Sequence, residues 1–308
     1  MLVTEPYQWI GQSRQVQAAL AAAMEASGGE AGVLIVGERG TGKELLARII
    51  HESSPRSAQP FVALNCGALG DKLGAELFGH AVEAAAEHVG PAIGMLERAA
   101  GGTLLLDEVT RMSEGLQARL ADALNRGEYH RLGSITALPL QVRVIAASHV
   151  DVRVEREQGR FREDLLYSFG VQIYVPPLRQ RPDDVPLLAR HFLERVGGMR
   201  AQGITEEALA VMRRYDWPGN VRQLRNAVER ALVASRGAPI AVSHLPAEVT
   251  GRDEVLDLAE HEDLTIAALE RRHIRHVLQL TGGKLSEAAE LLGIHRNTLR
   301  RKLEEYGI

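Results

Sequence analysis

At 308 residues the chain has the length of about two ordinary domains, enough for a sizeable buried core. Its 36 Lys+Arg against 40 Asp+Glu leave a formal net charge of −4, so overall electrostatics alone would not draw it onto nucleic acid. One cysteine, Cys66, excludes an internal disulfide framework and a thiolate-rich zinc site, and reads as a small buried hydrophobe in a reducing compartment.

The opening stretch MLVTEPYQWIGQSRQ lacks a basic region followed by an apolar one, and no segment approaches the ~20 apolar residues of a membrane helix. A soluble, cytoplasmic protein with no membrane partner is expected. Residues Val16 to Met24 are alanine-rich and read as a helix ended by Ser27-Gly28-Gly29. The apolar run Val33 to Val36 follows, then a glycine-rich turn, then a helical pattern from Glu44 to His51. Two more apolar runs, Thr103 to Leu106 and Val142 to Ala147, read as buried parallel strands. This alternation of strand and helix predicts a parallel α/β sheet covered on both faces over residues 1–175. Beyond Pro176-Pro177 such runs stop, and helical periodicity from Asp184 to Leu232 predicts a smaller helical unit over 176–248. The segment GRDEVLDLAEHED sets Asp253, Glu254, Asp257, Glu260, Glu262 and Asp263 against Arg252 alone, which predicts an acidic, solvated linker over 249–263. Residues 264–308 resume helical periodicity as a third unit.

The segment Gly37-Glu38-Arg39-Gly40-Thr41-Gly42-Lys43-Glu44 has the G-x-x-x-x-G-K spacing of a phosphate-binding loop. Glycines let backbone N–H groups wrap phosphate oxygens, the following helix N-terminus adds partial positive charge, and Lys43 reaches the terminal phosphates. The generic motif ends in Ser or Thr, a Mg²⁺ ligand, where this chain has Glu44. A glycine-rich turn carrying a surface lysine is the competing explanation. Downstream, Leu104-Leu105-Leu106-Asp107-Glu108 is an apolar strand delivering two carboxylates at its C-terminal end, where open parallel sheets bind ligands. Asp107 can organise Mg²⁺ and Glu108 can polarise an attacking water.

The motifs GERGTGKE, FVALNC, ELFGH, GGTLLLDEV, VRVIAAS, GRFREDLLY, VPPLRQRPDD and WPGNVRQL follow the order and spacing of one family. Over about residues 9 to 248 the chain resembles the AAA+ domain of sigma-54-dependent transcriptional activators, the bacterial enhancer-binding proteins. That family typically has Glu at the position of Glu44. The resemblance implies an ATP-binding ring protomer, commonly hexameric, with a helical lid after the α/β domain. It implies that Gly37, Gly40, Thr41, Gly42, Lys43 and Glu44 hold nucleotide, that Asp107 holds Mg²⁺, and that Asn65 pairs with Glu108 and switches its orientation. It places Ser148 and His149 at the sensor I position, makes Arg162 the arginine finger that reaches a neighbour's γ-phosphate, and makes Arg222 the sensor II arginine.

Two departures from the family stand out. Where members carry GAFTGA, the loop that contacts sigma-54, the in-register positions here are Glu83, Ala84, Ala85, Ala86, Glu87 and His88. Glycine's backbone freedom is lost, alanine favours helix, and the expectation is that the sigma-54 contact is absent. Ser168 stands where another interface arginine is common, which predicts weak hydrolysis in trans, because one such cation can contribute orders of magnitude to rate. The resemblance begins near Trp9, so no receiver domain is expected within this sequence.

At the C-terminus, Thr265 to Leu280 reads as a helix stopped by Gly282-Gly283. Ser286 reads as the N-cap of a short helix through Leu292, and Gly293 turns into a last helix from His295 to Glu305. This is a helix-turn-helix spacing. Leu299, Leu303 and Tyr306 share one face of the last helix, while Arg296, Asn297, Arg300 and Arg301 project from the rest, suited to base edges and phosphates. From Leu264 to Ile308 there are eight Lys+Arg and five Asp+Glu, a local charge of +3. GGKLSEAAELLGIHRNTLRRKLEEYGI resembles the Fis-type helix-turn-helix that ends many of the same activators, which implies dimerisation through the first helix and recognition helices in successive major grooves. An exposed basic helix in a small bundle is the competing explanation.

The sequence therefore predicts an ATP-binding, DNA-binding transcriptional regulator that acts on double-stranded DNA and RNA polymerase holoenzyme, self-associates as a dimer to hexamer, and does not use sigma-54. The alternatives are a sigma-54-dependent activator ATPase with a diverged loop, and a protein-remodelling AAA+ machine whose tail binds protein.

Overall fold

The computed structural model describes residues 8–81, 92–198, 202–251, 266–281 and 284–306. The chain divides into two compact units, Met1–Leu245 and Pro246–Ile308. The first opens with α1 (Arg14–Ser27), β1 (Val33–Val36), α2 (Lys43–Glu52) and β2 (Phe61–Asn65). After α3 (Leu73–Phe78) and α4 (Met95–Arg98) come β3 (Thr103–Asp107) and α5 (Glu114–Arg126), then a small hairpin, β4 (Glu128–His130) with β5 (Ala137–Pro139). The α/β part closes with β6 (Arg143–Ser148), α6 (Val152–Glu157), α7 (Glu163–Ser168) and β7 (Val171–Tyr174).

Five strands form one parallel sheet in the order β2-β3-β6-β1-β7. Strand side chains alternate between faces, and the apolar runs split accordingly. Leu34, Leu104, Leu106, Val144 and Ala146 enter one core, with Leu120 of α5 and Leu165 of α7. Val33, Ile35, Leu105, Ile145 and Ala147 enter the other, with Ala19 and Ala23 of α1 and Leu46 and Ile50 of α2. Continuous apolar strands are what a sheet buried on both faces requires. Cys66 is a free, buried thiol, pushed up to about 12 by burial and by Asp107 and Glu108, so it packs as a hydrophobe and is not a nucleophile.

Arg143, at the start of β6, is buried and donates to the carbonyls of Ala26, Ser27 and Ala31. A cation there satisfies orphan carbonyls at the C-terminal end of α1 and complements its dipole. The start of α1 is fixed equally firmly. Asp184 is fully buried and accepts from Gln12 N at 2.6 Å, Ser13 N at 3.0 Å and Ser13 Oγ at 2.7 Å.

The helical part of the first unit holds α8 (Asp184–Gly197), α9 (Glu206–Arg214) and α10 (Asn220–Ser235). Trp217 is fully buried between α9 and α10, its Nε1 donating to Met212 O at 2.8 Å and its ring meeting Tyr215 edge-on. In this turn Trp217 (φ 50°) and Asn220 (φ 53°) both take positive φ, a conformation that persists in non-glycine residues only where the surroundings enforce it.

The second unit contains α11 (Ala247–Thr250), α12 (Ile266–Leu280), α13 (Leu285–Leu291) and α14 (Arg296–Tyr306). Its core joins Ile274 and Val277 of α12, Ala288 and Ala289 of α13, and Leu299 of α14. Gly293 takes φ 65° in the turn between α13 and α14. The expected cap at Ser286 is corrected. Lys284 occupies the cap position, its carbonyl accepting from Ala288 N at 3.0 Å, so the first helical turn forms before Ser286 can cap it. The positions Glu83 to His88, the acidic stretch Asp253 to Asp263 and the pair Gly282-Gly283 lie outside the described residues. Among the described residues, no helix is long and apolar enough to cross a membrane.

Candidate functional site

The loop between β1 and α2 owes its shape to its glycines. A β-carbon on Gly37 would come within 2.5 Å of Val175 O, and one on Gly40 within 2.4 Å of Gly219 O, closer than any side chain tolerates. Gly40 and Gly42 also take φ 77° and 106°, where glycine alone is unstrained. Thr41 is buried and braces the loop, donating from Oγ1 to Glu38 O at 2.8 Å. Lys43 Nζ donates to the carbonyls of Gly37 at 2.7 Å and Glu38 at 2.9 Å. Burial pulls its ammonium below the ordinary lysine value, and the Asp107 carboxylate opposes that shift.

The C-terminal ends of the strands bring the acids to the same place. Asn65 and Asp107 are register partners in β2 and β3. One cleft is lined by Gly40, Gly42, Lys43, Glu44, Asn65, Asp107, Glu108 and Arg222, together with Arg39 and His149. Gly37 and Thr41 frame the loop without lining that cleft. Asn65 Oδ1 accepts from Gly67 N at 2.9 Å, while Glu108 Oε1 accepts from Arg39 at 2.8 Å, so in this conformation Asn65 and Glu108 are neighbours with separate partners. His149 Nδ1 lies 3.7 Å from Glu108 Oε1, too far for a hydrogen bond. Burial first, and then Arg39, hold its imidazole below the ordinary histidine range. Ser148 is buried, with Oγ donating to Val150 O at 2.7 Å.

Arg162 stands apart from this cleft on the surface. Its guanidinium pairs with Asp164 at 2.7 Å and more loosely with Glu114 at 3.4 Å. Ser168 is half-buried, its Oγ donating to Asp164 O at 2.8 Å.

A connection between the loop and the helical part, which the sequence motifs did not assign, runs through Asn220. Its Oδ1 accepts from Leu178 N at 2.7 Å, and its Nδ2 donates to Arg39 O at 3.0 Å and Glu38 Oε2 at 3.2 Å. Glu38 is held further by Arg179 at 2.7 Å, which keeps its carboxyl below the usual range. Arg181, also buried, donates to Thr41 O at 3.2 Å, and Arg222 N donates to Gly40 O at 3.3 Å. The available signal was Asn220 itself, a residue type that tolerates left-handed backbone in a turn.

Chemically, the cleft combines the cations Lys43 and Arg222 with three carboxylates beside a helix N-terminus, the composition a polyphosphate with a divalent cation requires, while Arg39 is paired with one of those carboxylates. Residues 9–173 match the family described as the sigma-54 interaction domain, 179–261 the AAA+ ATPase lid domain, and 265–306 the bacterial regulatory protein, Fis family. The chain belongs to the sigma-54 interaction domain family. Like its members it is a transcriptional regulator, with an AAA+ P-loop sheet, a helical lid and a DNA-binding helix-turn-helix unit. It is 43% identical over 300 residues to the transcriptional regulatory protein ZraR of Escherichia coli K12, an alignment covering 96% of this chain and 68% of that protein. Among solved structures it resembles NtrX from Brucella abortus in complex with ADP (TM-score 0.73, 31% identity, 99% of this chain and 70% of that one). The same protein in complex with ATP gives a TM-score of 0.72 at 31% identity, covering 98% and 69% of the two chains.

In the second unit, Arg296, Asn297, Arg300 and Arg301 are all exposed on α14 while Leu299 is buried. Lys302 faces the other way, bonded to Glu270 of α12 at 2.7 Å, and the Tyr306 hydroxyl donates to the same carboxylate. These contacts lock α14 on α12 and leave the four polar side chains toward solvent.

Proposed function

We propose that this chain is an ATP-binding, sequence-specific DNA-binding regulator that does not engage sigma-54, and that it acts through another polymerase holoenzyme or as a repressor. The observation that carries this reading is a pairing of opposites. The phosphate loop and strand-end acids form an intact cleft, while Glu83 to His88 stand where the sigma-54 contact loop of the family belongs.

The residues present fit ATP and Mg²⁺. Lys43 and the N-terminus of α2 would hold the phosphates, with Arg222 closing over them from the lid. Asp107 would share Mg²⁺ with phosphate oxygens, an ion that needs only one or two carboxylates when phosphates complete its shell; it supplies neutralisation of the developing charge. Glu108 would polarise the attacking water, and Asn65 would redirect Glu108 with nucleotide state. Arg162, half-buried and held by the surface acids Asp164 and Glu114, would reach a neighbouring protomer's γ-phosphate in a dimer to hexamer. The four exposed side chains of α14 would read double-stranded DNA.

With Ser168 in place of a second interface cation, turnover is expected to be slow and to rise more steeply than linearly with protein concentration, since Arg162 acts between protomers. Phosphate release measured against concentration, with and without operator DNA, tests this. A rate per protomer independent of concentration would contradict a site completed by a neighbour.

A further inference from the structure

The carboxylate of Glu108 is held by a residue that no motif assigned. Arg39, in the middle of the phosphate loop, donates to Glu108 Oε1 at 2.8 Å. The other oxygen, Oε2, lies over Gly67, where a β-carbon would come within 2.5 Å of it. The backbone beneath is left-handed, at φ 56° and ψ 42°, so Glu108 leaves β3 in an enforced direction. Neither remaining neighbour competes for Oε1. His149 Nδ1, at 3.7 Å, is too far to bond, and Asn65 uses its side-chain oxygen to accept from Gly67 N and makes no hydrogen bond to Glu108.

We propose that Arg39 is a positioning residue that holds Glu108 in a resting orientation and so restrains ATP hydrolysis. This rests on the ATP-binding reading above. Glu108 would take the proton of the water whose oxygen bonds the terminal phosphorus as the bond to the ADP oxygen breaks, with inorganic phosphate and ADP as products. An oxygen that already accepts a charge-assisted hydrogen bond has that lone pair turned from the water. Arg39 is 60% exposed, so its side chain serves no packing purpose that its removal would undo.

The test uses the full chain and measures steady-state ATP turnover alongside binding of a non-hydrolysable ATP analogue. Arg39→Ser should raise kcat by roughly two- to fivefold, the scale of one partly screened charge pair, with the dissociation constant of the analogue unchanged. Arg39→Lys, which keeps the charge without the planar fork, should fall between. In a Glu108→Gln background Arg39→Ser should give no gain, because the residue acts through that carboxylate. An unchanged or lower kcat in Arg39→Ser with analogue binding retained overturns the proposal, as does a gain that survives in Glu108→Gln. Weakened analogue binding in proportion to lost kcat/KM also overturns it, making Arg39 a phosphate ligand. If wild type and variants alike fail to bind the analogue, the ATP-binding reading falls and the proposal with it.

Discussion

Lys43→Ala is expected to abolish useful nucleotide binding while leaving the fold in place. The ammonium is buried at the start of α2, within 3 Å of two loop carbonyls and in the field of Asp107. A charge-assisted contact to phosphate in such a site is worth at least about 2 kcal/mol, so affinity should fall by roughly thirty-fold or more. The cost to stability is smaller. Alanine suits the first turn of a helix, and the Gly37 and Glu38 carbonyls lose one donor, about 1 kcal/mol. Calorimetric titration with ATP and a thermal melt without it separate the two effects. Unchanged affinity would mean that the loop is a glycine-rich turn carrying an incidental lysine.

The second large effect is expected in the other unit. Arg296 and Arg300 are exposed one turn apart on α14, while the contacts that build the unit are made by Leu299, Lys302 and Tyr306. Changing both to alanine therefore spares the core and favours the helix. If they touch bases or phosphates, each contributes about 1–3 kcal/mol, and the pair should lower operator affinity by roughly a hundred-fold. Each arginine that neutralises a phosphate should, on removal, shrink the slope of log affinity against log salt by about one. Fluorescence anisotropy on an operator fragment at several salt concentrations reads both quantities. Undiminished, salt-sensitive binding by the double variant would favour a remodelling machine whose tail binds protein.

How much of this was legible in the sequence depends on how each interaction is made. β1, β3 and β6 read as strands because they are buried nearly throughout, and an apolar run survives in the sequence. β2 and β7 lie at the edges of the sheet with mixed burial; VQIY carries no such run, and the short apolar stretch FVAL of β2 is not read as a strand from the sequence. The hairpin strands are three residues each, too short for any period. The phosphate loop and the strand-end acids were legible because local geometry demands those residues at that spacing. The connection through Asn220 was not, since it joins positions 182 apart and the Arg179–Glu38 pair spans 141. The same holds for Arg39 and Glu108, 69 positions apart. Their types are unremarkable until the fold brings them together. Net charge misled for a similar reason. The −4 of the whole chain conceals a charge of +3 over Leu264 to Ile308, whose exposed arginines include Arg296, Arg300 and Arg301 on α14.

Whether the nucleotide and DNA machinery operates without sigma-54 is decided most directly by transcription in vitro. The template is a promoter carrying the protein's binding site, and polymerase is reconstituted with sigma-54 and separately with the housekeeping sigma factor. We expect no ATP-dependent activation of the sigma-54 holoenzyme by this chain, and an effect, positive or negative, on the housekeeping form. Strong ATP-dependent activation of the sigma-54 holoenzyme would contradict this, and would mean that the diverged loop at Glu83 to His88 still makes the contact.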